Sequence, residues 1–196
     1  MRIIAGKFRS RRLGSIRGTD IRPTSDRLRE TLFNVLSAGN PAALEGSVWL
    51  DLFAGSGAVG IEAISRGAAM VYFVESSKPA VELIRRNLQP LGVAGKSQIL
   101  QQNVEHAIPL LDRQRVRPDF IFLDPPYPLR EAYQRTLTAL GNSTMIEGAL
   151  IVTEHERKFD PGAEFGGIHR IRKLEQGDAA LSFYRRNYSR SVEAKE

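Results

Sequence analysis

The sequence predicts an α/β fold built on a mostly parallel sheet covered on both faces, and three observations predict it. From residue 47 onward, short apolar runs alternate with segments of helical period. The runs are nearly unbroken in apolar residues, as strands buried on both faces must be. A glycine-rich turn follows the first of them, where a strand would hand over to a helix.

The strand-like runs are 48–53, 70–74, 99–100, 120–123, 150–153 and 181–184. Helical periodicity fills the gaps between the first five, over 57–66, 77–91, 103–113 and 129–141. The stretch 168–188 holds two strands with no helix between them and reads as a hairpin. Upstream, residues 1–16 alternate loosely between apolar and basic, which predicts a β-hairpin or a strand with a basic arm. Arg22-Pro23-Thr24-Ser25-Asp26 is a turn that starts a helix, with Thr24 or Ser25 at the N-cap. Leu28, Leu32, Phe33, Val35 and Leu36 follow at helical spacing, and Gly39-Asn40-Pro41 ends the helix. The expected organisation is a basic N-terminal extension over 1–45, an α/β domain over 46–188 and a frayed tail over 189–196.

Composition narrows the chemistry. The 196 residues contain no Cys, which excludes disulfides, thiolate metal sites and a thiol nucleophile and fits a reducing cytoplasm. No apolar run reaches the ~18–20 residues that span a bilayer, and the start MRIIAGKFRSRRL lacks the apolar stretch of a secretory signal. The net charge is +6, and residues 1–29 account for it. They hold nine basic side chains (Arg2, Lys7, Arg9, Arg11, Arg12, Arg17, Arg22, Arg27, Arg29) against Asp20 and Asp26. A compact basic patch beside a near-neutral body suits a polyanion, foremost nucleic acid; a solubilising arm or one meeting anionic lipid is the alternative.

Two motifs carry chemistry. Asp51-Leu52-Phe53-Ala54-Gly55-Ser56-Gly57-Ala58-Val59-Gly60 has G-x-G-x-x-G spacing at a strand-to-helix turn. Gly55 and Gly57 permit unusual φ and close approach to a ligand, and Gly60 permits tight helix–strand packing. The spacing alone also matches a dinucleotide fold. Asp51, four positions before Gly55, favours S-adenosylmethionine, because a carboxylate suits a cofactor with an amino group and a sulfonium and sits badly beside a pyrophosphate. Glu75, followed by Ser76 at the end of the next strand, falls where an acid accepts hydrogen bonds from ribose hydroxyls and serves either cofactor. Asn103, before Val104 at the third strand-to-helix junction, either contacts the adenine edge or caps the helix, and the roles are compatible.

Asp124-Pro125-Pro126-Tyr127 discriminates further. An exocyclic amine on a base is a poor nucleophile, since its lone pair is delocalised into the ring. Acceptors aimed at its N–H groups stabilise the positive charge that develops as a methyl group transfers. The Asp124 carboxylate and the Pro125 carbonyl are two such acceptors, Pro126 stiffens the turn, and Tyr127 offers a ring on which an extruded base can stack. His106, His155 and His169 show neither metal-ligand spacing nor a nucleophile partner.

Over about residues 1–188 the chain resembles the bacterial RsmD family, which methylates N2 of a guanine in 16S ribosomal RNA. The resemblance rests on Met1-Arg2-Ile3-Ile4-Ala5-Gly6-Lys7-Phe8-Arg9 with Arg11-Arg12-Leu13, and on Arg22-Pro23-Thr24-Ser25-Asp26-Arg27 with Arg29-Glu30 and Phe33-Asn34. It continues through the Asp51 to Gly60 turn, Glu62-Ala63, Ser65-Arg66-Gly67-Ala68, Val74-Glu75 and Asp124 to Tyr127. It implies a Rossmann-like class I S-adenosylmethionine-dependent methyltransferase fold, with seven strands and the last antiparallel. It further implies that Asp51, Phe53, Ala54, Gly55, Ser56, Gly57, Glu75, Ser76, Asn103 and Val104 hold the cofactor and that Asp124 to Tyr127 hold the guanine amino group. The basic extension, through Arg2, Lys7, Arg9, Arg11, Arg12 and Arg27, would grip rRNA on a partly assembled small subunit. Nothing in the sequence suggests an obligate interface, so a monomer is expected. A DNA amino-methyltransferase would use the same Asp-Pro-Pro-Tyr logic, but only about 45 residues precede the catalytic body, leaving no separate target-recognition region. A dinucleotide oxidoreductase and a non-catalytic assembly factor are the readings from other classes, and cofactor binding and turnover separate them.

Overall fold

A computed structural model describes residues 1–15, 25–126 and 129–187. In chain order the helices are α1 (Asp26–Leu36), α2 (Ala58–Ser65), α3 (Lys78–Leu88), α4 (Val104–Arg113) and α5 (Arg130–Gly141). The strands are β1 (Val48–Leu52), β2 (Met70–Glu75), β3 (Ser97–Gln101), β4 (Phe120–Leu123), β5 (Leu150–Glu156), β6 (Glu164–Phe165), β7 (Ile168–Gln176) and β8 (Ala179–Arg186). They form one sheet in the order β3-β2-β1-β4-β5-β8-β7-β6. β1 to β5 pair in parallel, and β8 inserts antiparallel between β5 and β7. This is the Rossmann-like methyltransferase architecture.

Local chemistry sets the elements. Ser25 caps α1, its hydroxyl accepting from Leu28 N, and Asp26 stands in the first turn beside the positive end of the helix dipole. β1 stops at Leu52 because Phe53 takes φ 61°. Gly60 lets α2 lie against β2: a Cβ there would stand 2.4 Å from the Phe73 ring and 2.7 Å from Val71. Trp49 is buried between Phe33 (5.3 Å) and Phe120 (4.8 Å), with its indole N–H donating to Ser47.

Two cores flank the sheet. One joins the N-terminal arm (Ile3, Phe8, Leu13) and α1 to α2, α3 and the Trp49 face; residues on both sides of position 45 share it. The other packs α4 and α5 on Leu50, Leu52, Ile121 and Leu123.

Two expectations need correction. Among the described residues the sheet has eight strands, not seven: β6 has two residues, too few to leave a period-2 pattern. The arm folds back on itself, but its ladder is a single antiparallel bridge, Arg2↔Arg12, instead of a hairpin of two strands. Gly6 (φ 79°) and Ser10 (φ 69°) break the extended conformation, and the amides of Ile4, Ala5 and Lys7 turn to α2 for acceptors. Arg22, Pro23, Thr24, Tyr127 and the tail 189–196 lie outside the described residues. Among the described residues no helix is long and apolar enough to cross a membrane.

Candidate active site

Strand order reverses between β1 and β4, and in open α/β sheets ligands bind beyond the carboxyl ends of the strands at that switch point. Both sequence motifs leave the sheet there. Leu52 of β1 pairs with Leu123 of β4, so the turn beginning at Phe53 and the loop beginning at Asp124 start side by side. The ladder continues one step further, with Asp124 N donating to Leu52 O at 3.4 Å.

The turn after β1 is held from below and from the side. Gly55 (φ 54°) and Gly57 (φ 76°) occupy the left-handed region, which a side chain would strain. Ala54 N donates to Val74 O, and Gly57 N to Ala54 O. Glu75 closes the flank: its Oε2 accepts from Gly55 N at 2.9 Å and its Oε1 from Ser77 N at 2.8 Å. Asp51 lies underneath, 2% exposed, with Oδ2 accepting from Gly60 N at 2.9 Å. Burial, with the Glu75 charge adding to it and the Gly60 amide opposing, pushes the Asp51 carboxyl up to about 7. Ser76 is exposed just past Glu75. Asn103 stands at the N-cap position of α4 with its side chain exposed and making no capping hydrogen bond; Val104 behind it is buried. Ser56 is drawn inward by Asn87 of α3, whose Nδ2 donates to the Ser56 carbonyl at 2.9 Å.

The second motif is equally constrained. Pro125 is buried, and its carbonyl accepts from the Tyr133 hydroxyl at 3.3 Å; the same hydroxyl lies 3.1 Å from Glu154 O on β5. Pro126 O accepts from Leu129 N. Asp124 is half-buried. The structure thus brings Asp124 and Pro125 beside the cofactor-type turn.

Of the basic residues, Arg2, Lys7, Arg9, Arg11 and Arg12 gather on the arm with exposed side chains, and Arg27 is exposed on α1. Lys7 and Arg11 flank the Phe8 ring at 5.5 and 5.6 Å, and Arg11 Nη1 donates to Pro90 O. His155 is buried with both ring nitrogens 2.9 Å from partners, Glu156 O and Ser182 Oγ.

Four residues matter here to which the sequence reading gave no role. Glu62 and Asn87 fix the arm, Tyr133 fixes the Pro125 carbonyl, and Glu154 stands next to Asp124 on β5. Asn87 also accepts from Gly14 N at 2.8 Å, so one side chain ties the arm to the turn after β1. Only Glu62, in Ile61-Glu62-Ala63-Ile64, interrupts an apolar run, and a Glu in a short helix ordinarily marks a solvent face; Asn87, Tyr133 and Glu154 have polar neighbours and left no signal.

The family described as conserved hypothetical protein 95 matches residues 1–185. The Bacillus subtilis protein YlbH is 33% identical over 187 residues, 95% of this chain and 99% of that one. The Haemophilus influenzae protein named ribosomal RNA small subunit methyltransferase D is 36% identical over 160 residues, 80% of this chain and 79% of its own. A solved structure of a hypothetical protein from Thermus thermophilus superposes with a TM-score of 0.77 at 30% identity, covering 93% of this chain and 98% of that one. The extent of these matches, on a fold and site of this form, places the chain in the RsmD family of methyltransferases.

Proposed function

We propose that the protein transfers a methyl group from S-adenosylmethionine to the exocyclic N2 of a guanine in 16S ribosomal RNA, on a small-subunit particle in the cytoplasm, acting as a monomer. The observation that carries this reading is the pairing at the switch point: two hydrogen-bond acceptors, the Asp124 carboxylate and the Pro125 carbonyl, leave the sheet beside a glycine turn flanked by acids. The relative from Haemophilus influenzae supports the rRNA substrate by its name.

The residues present fit the cofactor. Each Glu75 oxygen takes one backbone amide in the structure and keeps a lone pair for a ribose hydroxyl. A Cβ placed on Gly55 would meet only Phe53 O, at 3.9 Å, so no packing demand accounts for glycine there; the left-handed φ and the approach of a ligand do. Phe53, Ala54, Ser56 and Gly57 complete the turn, Ser76 extends the flank, Asn103 and Val104 meet the adenine, and the Asp51 carboxyl lies beneath, where a bound cation would favour its ionised form. When bound, the cofactor supplies an electrophilic methyl group on a sulfonium.

This chain's part is to position and polarise. Asp124 and the Pro125 carbonyl accept the two N–H groups of the target amine, holding its nitrogen in line with the methyl group and opposing the charge that develops on it. Tyr133 fixes the carbonyl by its hydroxyl. Tyr127 stacks on the extruded base. Proton loss to water completes the reaction. The arm, through Arg2, Lys7, Arg9, Arg11 and Arg12, with Arg27 of α1, binds the phosphate backbone.

The test is transfer from labelled cofactor to 16S rRNA and to small-subunit particles, with the modified base mapped. Asp124→Ala should lower kcat by ~10²–10³-fold or more while S-adenosylhomocysteine still raises Tm as in the wild type. Label on an adenine, or unchanged transfer by the variant, refutes the assignment.

A further inference from the structure

From the geometry we infer that Glu154 is a specificity-determining residue: its carboxylate accepts the N1–H of the target guanine and so selects guanine over adenine and cytosine. The inference rests on the proposed base-amine transfer and asks what in the site reads the base.

Register and alternation place Glu154 beside Asp124. Leu123 of β4 pairs with Thr153 of β5, so Asp124, the first residue past β4 and still bonded to Leu52 O, comes next to Glu154 of β5. Phe122 and Val152, two positions earlier, face the core that holds α1 and the arm, whereas Ile121, Leu123 and Ile151 face α4 and α5. Asp124 and Glu154 therefore share the face of Phe122 and Val152, on strands ~4.8 Å apart. That spacing suits two acceptors aimed at neighbouring positions on one base edge.

Glu154 is 2% exposed, yet it lines a groove of about 590 Å³ on the α1 side of the sheet. Arg27 of α1 and Arg157 and Lys158 beyond β5 line the same groove, together with Glu156 and Asp178. The three cations can meet the phosphates of a nucleotide whose base edge enters toward Glu154. Tyr133 ties the two loops together, its hydroxyl lying 3.3 Å from Pro125 O and 3.1 Å from Glu154 O, which fixes the acceptor pair relative to the third.

The chemistry of the bases makes this position decisive. Beside its exocyclic amine guanine carries a ring donor, N1–H. Adenine and cytosine carry a ring acceptor there, N1 or N3. With Asp124 and the Pro125 carbonyl occupied by the amine, a carboxylate at the adjoining position bonds to guanine and repels the lone pair of the other two.

The experiment replaces the mapped guanine in the RNA substrate with 2,6-diaminopurine, which keeps the 2-amino group but presents N1 as an acceptor. Wild-type enzyme should prefer guanine by about 10- to 100-fold in kcat/KM. Glu154→Gln should lower transfer to guanine and shrink that preference at least ~10-fold, since its amide can donate to N1 of the analogue. Glu154→Asp, which withdraws the acceptor without removing its charge, should also slow guanine more than the analogue, and decides the matter if the Gln variant shows no Tm rise with S-adenosylhomocysteine. Equal wild-type rates on the two substrates, or variants that slow both alike as a merely structural role would, overturn the inference while leaving methyl transfer to guanine standing. No transfer by the wild type to any RNA base overturns the underlying reading together with this one.

Discussion

Asp51 shows how far a single side chain can depart from its expected role. In the sequence it is an acid ahead of a glycine turn, and its charge argued for a cationic cofactor. In the structure it is also a strut, buried and bonded to Gly60 N, with its carboxyl pushed up to about 7 from an ordinary value of 3.8. The sign of the consequence follows. Below about pH 4 both folded and unfolded chains hold the proton, and the stability that Asp51 contributes is fully present. Between 4 and 7 the unfolded chain releases its proton first, so the fold loses stability as pH rises, and above 7 the loss is complete. Roughly 2–4 kcal/mol is at stake for a fully buried group with this shift. Asp51→Asn does not ionise, so without cofactor its stability relative to wild type should rise between pH 5 and pH 8 in chemical denaturation. Parallel pH curves for the two proteins would show that the carboxyl ionises as it does in the unfolded chain.

At the scale of elements, α2 explains both what was legible and what was not. Its place after the glycine turn was readable, because a strand, a turn and a helix leave distinct patterns. Its polar residues were not, since a Glu or Ser in a short helix ordinarily marks a solvent face. Every residue of α2 is buried, because one side packs on the sheet and the other on the arm. Glu62, wholly buried, accepts from Ile4 N (2.7 Å), Ala5 N (2.9 Å) and Arg66 Nε (2.8 Å), with Arg29 Nε at 3.9 Å. Ser65 accepts from Phe8 N and donates to Ala5 O, and a Cβ on Gly6 would stand 1.9 Å from Ser65 O. The same limit hid the eighth strand and the turns of the arm: two-residue pairings and helix-directed amides have no periodicity to read. The alternation of strands and helices in a mostly parallel sheet, the two motif loops and a cap at Thr24 or Ser25 did follow from pattern; the strand order did not. Removing Glu62 takes the acceptor from two part-buried amides and from Arg66 Nε, and the nearest carboxylate from Nε of the buried Arg29, which keeps Asp26 and Arg2 O. Glu62→Ala should therefore cost ~3 kcal/mol or more and expose Arg9, Arg11 and Arg12 to early trypsin cleavage. A variant as stable and as resistant as wild type would mean that apolar contacts alone hold the arm.

For the whole molecule the decisive feature is the separation of charge from chemistry. The net +6 is carried by the first 29 residues, while the acids Asp51, Glu75, Asp124 and Glu154 line up along the carboxyl edge of the sheet. Such a division lets the arm grip a polyanion apart from the turn of Asp51 and Glu75, while Arg27 of α1 shares the groove of Glu154. It also makes the contributions separable by salt. Each phosphate contact releases counterions, so log K falls with log salt by about 0.7–0.9 per contact. Among the described residues the exposed Arg12 side chain meets no hydrogen-bond or ion-pair partner, whereas Arg11 spends one donor on Pro90 O. Arg11→Ala with Arg12→Ala should reduce the magnitude of the salt slope for rRNA binding by up to about 1.8, with most of the change coming from Arg12. The Tm rise given by S-adenosylhomocysteine should be unchanged, because neither side chain touches the glycine turn. If the slope stays the same while binding weakens, the arm acts by shaping the fold and the phosphates are held elsewhere, with the groove wall of Arg157 and Lys158 as the next surface to mutate.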